Sequence, residues 1–228
     1  ALNTIVMDNG SKGYYFSLTA QLQKQFRGGF FASIAYTKSM ADNLFDGNGN
    51  QPLSAWQGTA NVNGSNFPTL GYAGFVIPNR VIANFSYRKE YFKHLGTTIS
   101  LFYEGSIGGR FSYTYSADFN RDGTNLDLIY IPTSAQVQQM RFANLTVNGT
   151  TYDQTAQRNL FENYILQDKY LNKHRGQYAE RNGAQIPWRN QVDVRLLQDV
   201  FTNIGKNKNT LQFSIDVFNF GNLLNPSW

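Results

Sequence analysis

The chain has 228 residues, no cysteine, a formal net charge of +5 and a pI near 9.3. The absence of cysteine excludes a disulfide scaffold and thiolate metal sites, and no apolar run reaches the roughly 18 residues a transmembrane helix needs. The basic residues are scattered, with small groups at Arg88, Lys89, Lys93 and His94 and at Lys206 and Lys208, so no electrostatic tail for nucleic acid emerges.

In chain order, Ala1-Leu2-Asn3-Thr4-Ile5 has neither a basic nor an apolar leader segment, so any signal peptide is expected to have been removed or to lie upstream. The first strong pattern runs over 14–26. Tyr14, Phe16, Leu18, Ala20, Leu22 and Phe26 share one face, while Tyr15, Ser17, Thr19, Gln21, Gln23 and Gln25 share the other. That is a strand between two different solvents. A tight Arg27-Gly28-Gly29 turn leads to a second strand over 30–39, completing a hairpin. Residues 40–77 are rich in Gly and Asn, carry Pro52 and Pro68, and read as a long loop.

A second pair follows at 79–91 and 96–116, the latter expected to run on across Gly108-Gly109 with a bulge or kink. The longest connection spans 117–187, within which Leu160, Phe161, Tyr164, Ile165 and Leu171 have the spacing of a short amphipathic helix. A third pair is expected at 189–204 and 210–220, turning at Gly205-Lys206-Asn207-Lys208-Asn209. Its charges, Asp193, Arg195, Asp199 and Asp216, all fall on the polar face. The final Asn222 to Trp228 carries Pro226 and no alternation, and reads as the start of another loop.

Short turns at one end and long loops at the other describe an antiparallel transmembrane β-barrel, with the apolar face on lipid and the polar face on the lumen. The mean hydropathy of -0.42 agrees, because only alternate residues of such strands face lipid. The 18 Phe, 14 Tyr and 3 Trp suit aromatic girdles at the headgroup level. A soluble β-sandwich, acting as a carbohydrate-binding or adhesin module, would alternate in the same way. Six strands do not close a membrane barrel, whose smallest examples have about eight, so the chain is read as all-β, one barrel domain over 1–228 that is a segment of something larger.

Chemical motifs are few. Asp118-Phe119-Asn120-Arg121-Asp122-Gly123, continuing to Asp127, places oxygen ligands at alternate positions before a glycine, as a calcium loop does. Ile129 stands where an EF-hand has its bidentate Glu, and a run of Asx turns accounts for the same residues. Asp46-Gly47-Asn48-Gly49-Asn50 is a weaker version, read as a flexible tip. His94 and His174 form no metal-ligand pair, and His174 is read as a loop-packing residue. Neither a nucleophile elbow nor a phosphate-binding loop occurs, so no enzyme is expected. Lys173 to Arg181, with Tyr178 as a stacking platform, imitates a nucleic-acid patch, but Asp168 and Glu180 dilute its charge.

Several stretches also resemble the C-terminal barrel portion of TonB-dependent outer-membrane receptors of the Bacteroidetes type. They are Asn79 to Tyr87, Asp118 to Gly123 with Tyr130-Ile131-Pro132, Lys173 to Gly183, Pro187-Trp188 and Phe218 to Leu224. The resemblance implies a bacterial outer-membrane location and a barrel of about 22 strands, of which this chain supplies six with two long extracellular loops. It further implies a plug, a TonB energy-transducing complex acting through N-terminal parts not found in this sequence, a surface lipoprotein as a partner, and active uptake of a nutrient. A passive or structural barrel is the alternative. On this reading Trp56, Phe67 and Tyr72, with the Asp118 to Asp127 stretch, are the loop residues expected to hold ligand.

Overall fold

The structure, a computed structural model, describes residue 8 and residues 10–47, 49–204 and 207–224. The elements in order are β1 (Tyr14–Gln25), β2 (Phe30–Asn43), α1 (Pro52–Gln57), β3 (Gly71–Tyr72), β4 (Asn79–Tyr91), β5 (Leu95–Ile107), β6 (Arg110–Phe111) and β7 (Tyr130–Ile131). There follow α2 (Ser134–Gln139), β8 (Leu145–Val147), β9 (Thr150–Tyr152), α3 (Gln154–Gln167), α4 (Lys169–Lys173), β10 (Gln177–Tyr178), β11 (Ala184–Gln185), β12 (Trp188–Ile204), β13 (Asn207–Val217) and α5 (Gly221–Leu224). The chain divides into two compact units.

One unit holds the long strands, in the antiparallel order β1-β2-β4-β5-β12-β13. Among the described residues the sheet is open, with β1 and β13 at its edges. Register keeps one face continuous: Ala32 lies opposite Phe85, Phe85 opposite Leu101, Leu101 opposite Val194 and Val194 opposite Val217. Large apolar residues in this set are exposed on every long strand, including Leu22 on β1, Ile34 on β2, Phe85 on β4, Leu101 on β5, Leu196 on β12 and Phe213 on β13. Leu196, the least exposed of them, is still 37% exposed.

The opposite face is polar and internally paired. Arg195 lies directly opposite Asp216 and donates to its carboxylate. Arg80 reaches Glu104 at 2.9 Å, and Arg88 spans β5 to meet Asp199 at 2.7 Å while also donating to Thr98 at 3.2 Å. At the β1–β2 edge, Ser17 meets Ser39 at 3.0 Å and Thr19 meets Thr37 at 2.9 Å. Such cross-strand pairs tie the register to the face each side chain occupies.

The hairpin turn explains its glycines. Gly28 and Gly29 have φ of +83° and +88°, a region costly for residues with a Cβ. At Gly29 a Cβ would also strike the Arg88 carbonyl, because Arg88 N donates to Gly29 O at 2.9 Å.

Several expected boundaries are corrected. The strand expected over 96–116 ends at Ile107, and Arg110–Phe111 pair instead with Ala184–Gln185 in a separate ribbon. Proline has no N–H for the ladder, and Pro187 immediately precedes Trp188, the partner of Ile107. Gly108 then lies so close to Ile186 that a Cβ would sit 2.6 Å from it. The single helix drawn through Leu160 to Leu171 is two helices, because Asp168 caps α4 by accepting from Leu171 N at 2.8 Å. The strand expected at 210–220 runs instead from Asn207 to Val217. Asn219, at φ +54°, turns the chain into α5 while its N–H reaches the Asp193 carboxylate at 2.8 Å. Gly205 and Lys206 of the expected turn, Asn48, the leader segment Ala1 to Ile5 and the terminal Asn225 to Trp228 lie outside the described residues.

The other unit gathers most of the two expected long loops, and it has a core of its own. Leu128, Ile131, Val137, Ile165, Leu171 and Ala179 are buried together, with Phe161 and Tyr170 packed against them. Helix α3 presents Phe161 and Ile165, four residues apart, to that core, while Leu160 and Tyr164 are exposed. Among the described residues no helix is long and apolar enough to cross a membrane.

Candidate ligand-binding site

The second unit is held by a polar hub built from Arg181 and Asn182, both buried. Arg181 donates to the Leu44 carbonyl at 3.0 Å and to the Asn43 carbonyl, and Asn182 donates to the Asp46 carboxylate at 2.6 Å and the Tyr72 carbonyl at 2.8 Å. Asp46 also accepts from Gly74 N at 3.0 Å. The Asp46 stretch, expected as a flexible tip, is therefore anchored through its first residue. Burial lowers the Arg181 pKa, and Asp46 and Asp42 oppose that shift.

The 118–127 segment is ordered by its own side chains. Asp118 accepts from Asp122 N at 3.1 Å and Gly123 N at 2.9 Å, and Asn120 Oδ1 accepts from Asp122 N at 2.9 Å. Asp122 accepts from the Thr124 amide at 2.9 Å and its hydroxyl at 2.7 Å. Burial pushes the Asp122 pKa up, but the Thr124 hydroxyl and amide and the Asn120 amide more than offset it and leave it lowered. In this geometry the segment closes as Asx turns. Among the described residues no group of three or more His, Cys, Asp or Glu stands ready to hold a metal ion. A calcium ion would have to share these oxygens with the amides they already serve.

Asp127 differs from its neighbours. It is 3% exposed, and its Oδ2 accepts from Phe119 N at 2.7 Å and Asn120 N at 3.3 Å. Its Oδ1 is buried with no hydrogen-bond partner.

Asp127 lines a cavity of about 420 Å³ together with Tyr115, Phe119, Asn120, Tyr130 and Tyr178. Tyr115 and Phe119 are stacked with centroids 4.2 Å apart, and Tyr130 meets Tyr178 edge to face at 5.3 Å. Leu128, anchored in the core, closes one wall. The volume lies in the range of small-molecule pockets, about 300–1,000 Å³. The wall is positioned by short pairings: Tyr115 N donates to Asp127 O at 2.9 Å, and Tyr178 lies opposite Tyr130 in the β7–β10 ribbon.

The expected ligand residues Trp56, Phe67 and Tyr72 do not line this cavity. Trp56 sits on α1 and donates to Asn66 at 2.8 Å, Phe67 is 69% exposed, and Tyr72 carries the Arg110 guanidinium 4.1 Å above its ring. Of the expected metal set, Asp118, Asn120 and Asp122 share the loop, while Asn120 and Asp127 also share the cavity. Tyr115 and Tyr130 were not anticipated as site residues, and Tyr178 was noted only as a stacking platform. Their signal in the sequence is aromatic spacing in irregular segments, which does not reveal pairing. His174 packs against Tyr170 at 4.2 Å, with its Nδ1 2.8 Å from the Tyr170 carbonyl.

No protein-family model, no curated protein and no solved structure matches this chain.

Proposed function

We propose that the chain is a wall-and-loop segment of a bacterial outer-membrane β-barrel that serves TonB-dependent uptake of a nutrient. The observation that carries this reading is the exposed apolar face running across all six long strands, opposite a face bearing Arg80, Arg88, Asp199, Arg195 and Asp216. An apolar surface of that extent in water would drive association, whereas lipid accepts it without cost. The free edges at β1 and β13 take further strands of the same receptor, since open edges are not tolerated in hydrocarbon. Short turns such as β1–β2 are then periplasmic and the long connections 40–77 and 117–187 are extracellular loops, as in barrels of this kind.

The test uses tryptophan placed at Phe213 or at Gln212 of the complete receptor, in a background with its other tryptophans replaced, and quenching by brominated lipids in reconstituted vesicles. Quenching is expected at position 213 and not at 212. Equal quenching at both positions sinks the barrel reading. Dependence of uptake on the proton-motive force separates the energised receptor from a passive barrel.

A further inference from the structure

We infer that Asn148 is a site of spontaneous modification, at which the tip of the β8–β9 hairpin converts its own asparagine to isoaspartate and aspartate. Five Asn-Gly pairs occur in the chain, at Asn9, Asn48, Asn63, Asn148 and Asn182, and the first two lie outside the described residues. The reaction closes a ring: the backbone nitrogen of the following residue attacks the asparagine Cγ, ammonia leaves from Cγ, and the new N–Cγ bond completes a succinimide. Water then opens the ring at either carbonyl, giving isoaspartate or aspartate. Glycine favours the attack because no Cβ shields its nitrogen. By residue type the three described pairs are therefore alike, and the folded structure separates them by the state of that nitrogen.

At Asn63 the Gly64 N–H donates to Asn61 Oδ1 at 2.6 Å, and Gly64 is buried. At Asn182 the Gly183 N–H donates to the Glu180 carbonyl at 3.1 Å, while the side-chain amide that has to leave is held by Asp46 and the Tyr72 carbonyl. Asn148 and Gly149 form instead the two-residue turn between β8 and β9, with φ of +50° and +78°. Both are exposed, and among the described residues no oxygen accepts the Gly149 N–H. The two strands have three residues each and, among the described residues, pair only with each other, a size at which a hairpin is marginally stable. Their anchor lies at the base, where Gln157 donates to the Ala143 and Tyr152 carbonyls at 2.7 Å and 3.0 Å. The tip opens to bring Gly149 N onto Asn148 Cγ without disturbing the core, whereas the other two pairs must first break a bond inside packed structure.

The experiment holds the folded full-length protein at mildly alkaline pH, where the attacking nitrogen is more readily deprotonated, and reads each pair by mass spectrometry after digestion at acidic pH. Asn148 is expected to convert at least about tenfold faster than Asn63 or Asn182, with isoaspartate among its products. In guanidinium chloride the three rates should converge, because the protection is structural. Comparable rates in the folded protein overturn the inference, as does slow conversion of Asn63 and Asn182 in denaturant as well. Aspartate without isoaspartate at Asn148 means direct hydrolysis of the side-chain amide and overturns the ring closure. Gly149→Ala puts a Cβ beside the attacking nitrogen and should slow conversion of Asn148 about tenfold in denaturant, where the geometry of the turn no longer contributes. An unchanged rate in that variant counts against attack by the residue 149 nitrogen.

Discussion

The side-chain amide of Asn182 donates to the Asp46 carboxylate at 2.6 Å across a separation of 136 residues. That bond joins the two segments which the sequence presents as separate long loops. Asn182 has φ of +54°, and its own N–H is held by the Ser112 hydroxyl at 2.8 Å. Asn tolerates this left-handed conformation better than most residues, so one side chain serves both the turn and the bond.

Removing that side chain should therefore loosen the loop unit. Asn182→Ala is expected to cost about 1–3 kcal/mol by leaving the Asp46 carboxylate and the Tyr72 carbonyl short of a donor. Asn182→Gly restores backbone freedom without the bonds and should remain destabilised. Hydrogen exchange of the loop amides is the measurement, and full recovery in the glycine variant would assign the effect to backbone strain alone.

The sheet's faces predict an asymmetry between neighbouring positions. Phe213 is exposed on the apolar face, and Gln212 donates to Asp199 on the other at 2.7 Å. Phe213→Arg should reduce stability in vesicles by about 2–4 kcal/mol if position 213 lies near the midplane. Gln212→Arg should cost less, because it keeps a donor facing Asp199. Urea titration of the reconstituted protein reads both, and equal costs would contradict two-solvent packing.

The hairpin glycines should not be equivalent. Gly28→Ala meets no atom within 4 Å and carries only the penalty of positive φ, whereas Gly29→Ala meets that penalty and the Arg88 carbonyl as well. Gly28→Ala is expected to cost about 1 kcal/mol and Gly29→Ala distinctly more. Comparing the urea midpoints of the two variants checks the order.

The Asp122 shift predicts a pH dependence. A depressed carboxylate pKa contributes stability that is fully present above its unfolded value and lost as pH falls through the folded one. The loop around Asp122 should thus keep its full stability above the ordinary Asp value of 3.8 and lose this contribution progressively below it. Thr124→Val removes the hydroxyl donor at 2.7 Å and should raise the Asp122 pKa. Carboxyl carbon NMR titration measures the change, and an unmoved titration would show that Thr124 does not hold the charge.

Some of the structure was legible in the residues themselves. Alternation along Phe16, Leu18 and Leu22, and again along Leu211, Phe213 and Ile215, located strands because a pleated strand repeats every two residues. Glycines at 28 and 29 located the hairpin because both positions take a positive φ that disfavours residues with a Cβ. Asp168, read in the sequence only as diluting a basic patch, caps α4, and the apolar spacing from Leu160 to Leu171 does not register the break between helices that such a cap makes. The strand ending at Ile107 was hidden because its alternation continues through Phe111, while its partner strand stops at Pro187.

Sequence alone determined the two-faced strands, the tight turn and the absence of cysteine chemistry, since each depends on local period or residue type. Only the tertiary structure decided that residues 41–75 and 109–185 build one core and that Asp46 meets Asn182. It also decided that Tyr115, Phe119, Tyr130 and Tyr178 surround Asp127. Those relations join residues far apart in the chain or turned together by irregular backbone, where no periodicity carries the pairing.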